Sequence, residues 1–229
     1  MKEEKSAEEF PVPGTARAGR CGGRQTVNCR SLAVQENEHL YGPGRRLVVF
    51  LQGCSIRCRG CWNSHMWEFG CGTDTGTGEI LRLCEGTEGI TLLGGEPLDQ
   101  AEGVLSIVRA VKGRGQTCVL FTGYRKKELK TPAQRECWDL SDLVIAGPYV
   151  EGKRSVRLQF RGSTNQRVYR HRGPYRHYEV RDGRTVALFT VTEEGVTARG
   201  FQDEALAEFW EELKETDRRA RDREGPPAR

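Results

Sequence analysis

Cys54, Cys58 and Cys61 fall within eight residues, at spacings of four and three. They lie just past the apolar run Leu47 to Leu51, so a tight loop at a strand end presents three thiolates together. In a four-iron cluster each iron ordinarily takes one protein thiolate, and three ligands leave one iron open to another molecule. An open metal position is a catalytic one, by the logic that separates catalytic from structural zinc sites. Zinc is the competing reading. His65 and Cys71, four and ten residues beyond Cys61, are candidate fourth ligands, and a closed zinc site would make the chain a binding module without catalysis. Zinc fingers and ribbons usually split their ligands into two separated pairs, whereas here three share one loop.

A second constellation, Gly94-Gly95-Glu96-Pro97, follows the apolar run Ile90 to Leu93. Two glycines let the backbone approach a ligand closely, and a carboxylate at a strand end can receive an ammonium group. Alone the tetrapeptide is weak, because Gly-Gly turns between strand and helix are common. Its place one strand after the cysteine loop makes it specific. Thr122 ends a further strand on the same side, where it either meets a ligand ribose or caps a turn. Arg161, Asn165, Gln166 and Arg167 form a polar, hydrogen-bonding segment to which the residues alone assign no role.

The elements that must position these groups are legible as short apolar runs. Leu47 to Leu51, Ile90 to Leu93, Thr117 to Phe121 and Leu143 to Ala146 read as strands buried on both faces, hence parallel. Asp99 is placed to cap a helix whose Leu105, Val108 and Val111 share a face, and a weaker helical segment runs from Lys126 to Leu140. Alternating strands and helices build a parallel sheet whose ligand site lies beyond the C-terminal strand ends. Four strands are too few for an eight-fold barrel, so the expected fold class is α/β, an open partial (β/α) barrel. Val186 to Val191 and Val196 to Ala198, around Glu193-Glu194-Gly195, read as an antiparallel hairpin. Leu206, Phe209, Trp210 and Leu213 fall on one face of a last helix, and a charged tail runs from Glu215.

Taken in order, Gly42-Pro-Gly-Arg45, Gly53-Cys-Ser-Ile-Arg-Cys-Arg-Gly-Cys-Trp-Asn63, Gly94-Gly-Glu-Pro-Leu98, Thr122-Gly-Tyr124 and Arg161-Gly-Ser-Thr-Asn-Gln166 resemble the radical S-adenosylmethionine (SAM) superfamily. Within that superfamily they are similar to the activating proteins of anaerobic ribonucleoside-triphosphate reductase. The resemblance covers roughly residues 40 to 168. It implies that Cys54, Cys58 and Cys61 hold three irons of a [4Fe-4S] cluster and that SAM chelates the fourth. Gly94, Gly95 and Glu96 would hold its methionine end, and Gly60, Trp62 and Asn63 would line the adenosine side, although Trp62 reads equally as core. The implied chemistry is reductive cleavage of SAM to a 5′-deoxyadenosyl radical, which takes a hydrogen from a backbone glycine of a partner, a glycyl radical enzyme. A flavodoxin- or ferredoxin-like protein would donate the electron. A radical enzyme acting on a small molecule or peptide is the alternative.

Two departures bear on that implication. Leu93 stands where the family has a small hydroxyl residue, and Ala146 where it often has aspartate. Residues 169–229 extend past its usual end. The expected organisation is therefore a flexible arm over residues 1–30, a radical SAM domain over 31–168, and a hairpin, helix and tail over 169–229. Thirty-six Lys and Arg against 32 Asp and Glu give a net charge of only +4, spread along the chain, which does not favour nucleic acid. The longest apolar run is far short of the ~20 residues that cross a bilayer, and Met1 to Lys5 begins no apolar signal core. Nine cysteines, three of them clustered, suit a reducing, cytoplasmic setting better than a disulfide framework. Cys21, Cys29, Cys71, Cys84, Cys118 and Cys137 remain outside the cluster loop; a second cluster from the first four is conceivable, and idle thiols are the plainer reading.

Overall fold

The structure, a computed structural model, describes residues 26–35, 40–171, 173–183, 187–192, 195–200 and 204–224. Expectations about Cys21, about the arm up to residue 25, and about Val186, Glu193, Glu194 and the tail beyond residue 224 lie outside these residues.

In chain order the elements are β1 (Thr26–Gln35), β2 (Arg46–Leu51), β3 (Thr73–Gly76), α1 (Thr77–Leu83), β4 (Gly89–Gly94), α2 (Ala101–Gly113), β5 (Thr117–Thr122), α3 (Pro132–Leu140), β6 (Leu143–Ala146) and β7 (Arg167–Arg170). The hairpin strands β8 (Ala187–Thr192) and β9 (Gly195–Gly200) and helix α4 (Glu204–Glu224) follow. One sheet of seven strands runs β3-β1-β2-β4-β5-β6-β7 and does not close on itself. Its centre is the expected set of four: β2, β4, β5 and β6 pair in parallel. The flanking β1, β3 and β7 pair antiparallel and were not anticipated. Sequences such as Thr73-Asp-Thr-Gly76 and Arg167-Val-Tyr-Arg170 have no apolar run, because edge strands have one side free of sheet partners and are partly solvated.

Strand alternation divides the core in two. Leu47, Val49 and Leu51, Ile90 and Leu92, Cys118 and Leu120, and Val144 and Ala146 face the helices. There α2 contributes Val104, Leu105, Ile107, Val108 and Val111, each buried at about 1.5–3 kcal/mol of transfer free energy. Val119, Leu143 and Ile145 point to the opposite face, where Phe160 and Tyr175 cover them. Cys29, Cys84, Cys118 and Cys137 are buried among the helix-side groups, and Cys71 is exposed.

Four expectations need correction. Thr26 to Arg30, assigned to the flexible arm, are the start of β1, paired with both β2 and β3. Asp99 does not cap α2; it sits in the 3-10 turn Pro97–Gln100, and the residue before α2 is Gln100. The segment from Lys126 opens with a 3-10 turn over Lys126–Glu128 and becomes α-helical only at Pro132, where Thr131 and Gln134 form a reciprocal capping box and proline takes the first helical position. The charged stretch from Glu215 continues α4 to Glu224 rather than leaving it, supported by pairs such as Arg219 with Glu215 at 3.0 Å. No helix among the described residues is long and apolar enough to cross a membrane.

Candidate functional site

The cysteine loop and the Gly-Gly-Glu turn emerge side by side from the C-terminal ends of β2 and β4. Gly95 N donates to Leu51 O at 2.7 Å and Glu96 N to Gly53 O at 2.8 Å, so the turn is laced to the residues that lead into Cys54. The two glycines are needed for different reasons. Gly94 has φ 109°, a conformation side chains avoid, while a Cβ on Gly95 would stand 2.2 Å from Gly53 O. Cys54 is buried, and Cys58 and Cys61 are half-buried. Burial pushes the Cys54 thiol up against the pull of the Arg57 and Ile56 amides, and pushes Cys58 up against the amide of Tyr149.

The partner elements of this loop were not foreseen. Asp99, freed from capping, accepts from Ser55 N at 2.6 Å, Ser55 Oγ at 2.9 Å and Tyr124 OH at 2.8 Å. It thereby ties the residue after Cys54 to the end of β5. Asp99→Ala is expected to raise amide hydrogen exchange at Ser55 by about ten- to a hundred-fold, the scale of a lost charge-assisted bond. Unchanged exchange would show that the loop is held otherwise. The stretch after β6 closes the other side: Tyr149 reaches Cys58, Glu151 pairs with Arg59 at 3.3 Å, and the Arg154 guanidinium lies 5.1 Å from the centre of the Trp62 ring. Trp62 is 39% exposed and is not core. Gly60 is exposed and Asn63 half-buried on the same loop.

Glu96 and Thr122 come together rather than standing apart. The Glu96 carboxylate, 1% exposed, accepts from Leu98 N at 2.9 Å, Thr122 Oγ1 at 2.8 Å and Gly123 N at 2.7 Å. The Thr122 oxygen also accepts from Tyr124 N at 3.1 Å, the turn-capping bond that one of its two readings expects. Burial outweighs these donors and raises the Glu96 carboxyl to about 7. A folded pKa above the unfolded one favours the protonated form, so stability is highest below the ordinary carboxyl range and falls as pH climbs to 7. The fall is about 3 kcal/mol for the ligand-free chain. Denaturation midpoints at pH 5 and pH 8 should therefore differ more in the natural chain than in Glu96→Gln; equal differences would refute the assignment.

Among the described residues no three His, Cys, Asp or Glu side chains converge tightly enough to hold a single metal ion. A three-cysteine loop at the end of an open sheet with a parallel centre defines the class of a single-cluster iron-sulfur protein.

Residues 40–169 match the 4Fe-4S single cluster domain family. The anaerobic ribonucleoside-triphosphate reductase-activating protein of Pasteurella multocida is 34% identical over 141 residues, which are 56% of this chain and 89% of that one. Its Escherichia coli K12 counterpart is 32% identical over 139 residues, covering 56% and 90%. The phage T4 counterpart is 33% identical over 137 residues, covering 56% and 85%. Among solved structures, QueE from Escherichia coli superposes at a TM-score of 0.39 and 14% identity over 51% of this chain and 69% of that one, too loose to carry an argument. The chain belongs to the 4Fe-4S single cluster domain family and to the family of anaerobic ribonucleoside-triphosphate reductase-activating proteins.

Proposed function

We propose that this chain cleaves SAM reductively and passes the resulting radical to a glycyl radical enzyme, with anaerobic ribonucleotide reductase as the target. The carrying observation is the lacing of the Gly94-Gly95-Glu96 turn onto the loop of Cys54, Cys58 and Cys61, which puts a ligand turn beside three thiols. The donor set suits an iron-sulfur cluster: the thiols give soft anionic ligands, and the amides of Ile56, Arg57 and Tyr149 are positioned to bond thiolate sulfur. In this reading Cys54, Cys58 and Cys61 hold three irons and leave one for SAM. Gly94, Gly95 and Glu96 hold its methionine end; a ligand ammonium here meets a carboxylate already oriented by three donors, and its charge favours the ionised form. Gly60, Trp62 and Asn63 face the adenosine, and Thr122 acts through Glu96.

Held by Cys54, Cys58 and Cys61, a cluster would supply the electron for reductive cleavage of SAM held at Gly94, Gly95 and Glu96, chemistry that would yield methionine, 5′-deoxyadenosine and a glycyl radical on the target. The protein's own work is to hold and orient these groups and to exclude water, and no side-chain acid or base is required. The electron comes from a flavodoxin- or ferredoxin-like donor in a cytoplasmic, reducing setting.

The test is anaerobic reconstitution, metal and sulfide analysis, then dithionite with SAM. About four irons per chain and production of 5′-deoxyadenosine are expected, followed by a stable organic radical on the large reductase subunit when it is added. Zinc in place of iron, or an iron-loaded chain that leaves SAM intact, would overturn the reading. SAM cleavage without a radical on the reductase would move the target to a small molecule or peptide.

A further inference from the structure

Three consecutive carbonyls lead from β2 into Cys54, and the glycine-rich turn and its exit bond all of them. Leu51 O accepts from Gly95 N at 2.7 Å and Gly53 O from Glu96 N at 2.8 Å, both on the side of β4. The carbonyl between them belongs to Gln52, which faces the other way, toward β1, because successive residues of an extended chain direct their backbone groups to opposite sides. Gln100, the last residue of the 3-10 turn that follows Gly94-Gly95-Glu96, reaches it with a side chain: Gln100 Nε2 donates to Gln52 O at 2.8 Å.

The Gln100 carboxamide does this by standing inside the pair of β1 and β2. Cys29 pairs with Leu51, so Asn28 comes opposite Gln52, and in an unbroken antiparallel ladder two such residues exchange both of their hydrogen bonds. Here one bond is direct, from Gln52 N to Asn28 O at 2.9 Å. The other is relayed: Asn28 N donates to Gln100 Oε1 at 2.7 Å, and Gln100 Nε2 carries the bond on to Gln52 O, with a longer contact to Asn28 O at 3.1 Å. A side-chain amide thus replaces one rung of the ladder. Through it β1, which precedes the family-matched residues 40–169, is fastened at once to the approach to Cys54 and to the exit of the Gly-Gly-Glu turn. Gln52 is 1% exposed, so a backbone group left unbonded there has no water to turn to.

We propose that Gln100 is a positioning residue for SAM cleavage, holding the turn that receives the methionine end at a fixed distance from the strand end that leads into Cys54. This rests on the reading that SAM is held at Gly94, Gly95 and Glu96 beside a cluster on the cysteine loop. The bonds of Gln100 go to Asn28 and Gln52 rather than to a cysteine or to Glu96, so its loss lets the turn drift from the loop without removing a ligand of either. The Asn28 side chain provides a control in the same place. It accepts from Gly72 N at 2.9 Å and donates to Asp74 Oδ1 at 2.7 Å, whereas Gln100 meets only the Asn28 backbone.

The test uses the full-length, reconstituted chain with three substitutions: Gln100→Leu, which keeps the bulk and loses every bond; Gln100→Glu, which keeps an acceptor for Asn28 N and loses the donor to Gln52 O; and Asn28→Ala. SAM is titrated into dithionite-reduced protein and followed by electron paramagnetic resonance of the cluster, and 5′-deoxyadenosine formation is measured against SAM concentration. For Gln100→Leu the half-saturating SAM concentration rises about tenfold in both, the scale of one buried hydrogen bond, while iron per chain and the rate at saturating SAM stay at the natural level. Gln100→Glu raises it by about threefold or more, and Asn28→Ala leaves it unchanged. In the metal-free chain, Gln100→Leu speeds amide exchange at Asn28 by about tenfold, and Gln100→Glu does not. Natural half-saturation in the Gln100 variants, loss of iron in step with loss of SAM, or equal weakening in Asn28→Ala overturns the proposal. Should Gln100→Leu fail to fold, natural SAM affinity in Gln100→Glu overturns it alone. A natural chain whose cluster signal SAM does not move overturns the SAM reading and this proposal with it; one that binds SAM no better than its Gln100 variants sinks only this proposal.

Discussion

Cys58→Ala leaves the chain unable to hold a full cluster or cleave SAM, whereas Cys137→Ala cleaves it at the natural level. The contrast follows from placement rather than residue type. Cys58 sits half-buried in the loop after β2, with the Tyr149 amide directed at its sulfur. A cluster that loses one of three thiolates has no other cysteine in the loop to replace it. Cys137 is fully buried in α3 among the helix-side core, its sulfur 3.5 Å from Ala101 O, and burial raises its thiol to about 12. A thiol held neutral in an apolar core does not ligate metal. Cys137→Ala therefore costs only packing, about 1 kcal/mol of stability for a small cavity. Iron content and 5′-deoxyadenosine yield, measured on both variants, decide the matter: equal loss in the two would remove the ligand assignment.

Gly95→Ala is expected to lower SAM cleavage about a hundredfold or more, a scale reached when reacting groups are displaced by about 1 Å. The added Cβ would stand 2.2 Å from Gly53 O and 2.8 Å from Gly53 C. These are backbone atoms, with no flexible side chain to swing aside. The turn and the cysteine loop must therefore separate, breaking the Glu96 N to Gly53 O bond that sets their spacing. Sheet strands β2 and β4, paired through Leu51 and Gly94, lie behind this contact and should keep their register. A cooperative thermal transition with weakened SAM binding is the expected combination. Retained cleavage would show that the contact between the turn and the cysteine loop does not set the site.

The sequence was most informative where burial on two faces, or a covalent spacing, constrains residue choice. The four parallel strands were legible because both faces are buried and most of their positions are apolar. The cysteine loop was legible because three thiolates in eight residues have few other uses. Asp99 was misread because a carboxylate before a helical stretch ordinarily caps it, and nothing local says that Ser55 and Tyr124 arrive from 44 and 25 residues away. Thr122 was left between two readings for the same reason, since its partner, Glu96, lies on another strand. Arg161 had no role because its partner, Asp182, lies in a segment outside the motif.

By itself, then, the sequence determined the parallel centre of the sheet, the three-thiol loop and the glycine-rich turn, because each rests on local spacing and on apolar runs that water would otherwise solvate. The tertiary structure alone decided which polar groups meet across that framework: Asp99 with Ser55 and Tyr124, Glu96 with Thr122, Tyr149 over Cys58, and Gln100 between Asn28 and Gln52. Hydrogen bonds are short-ranged and directional, so their partners are fixed only once distant strands are in register.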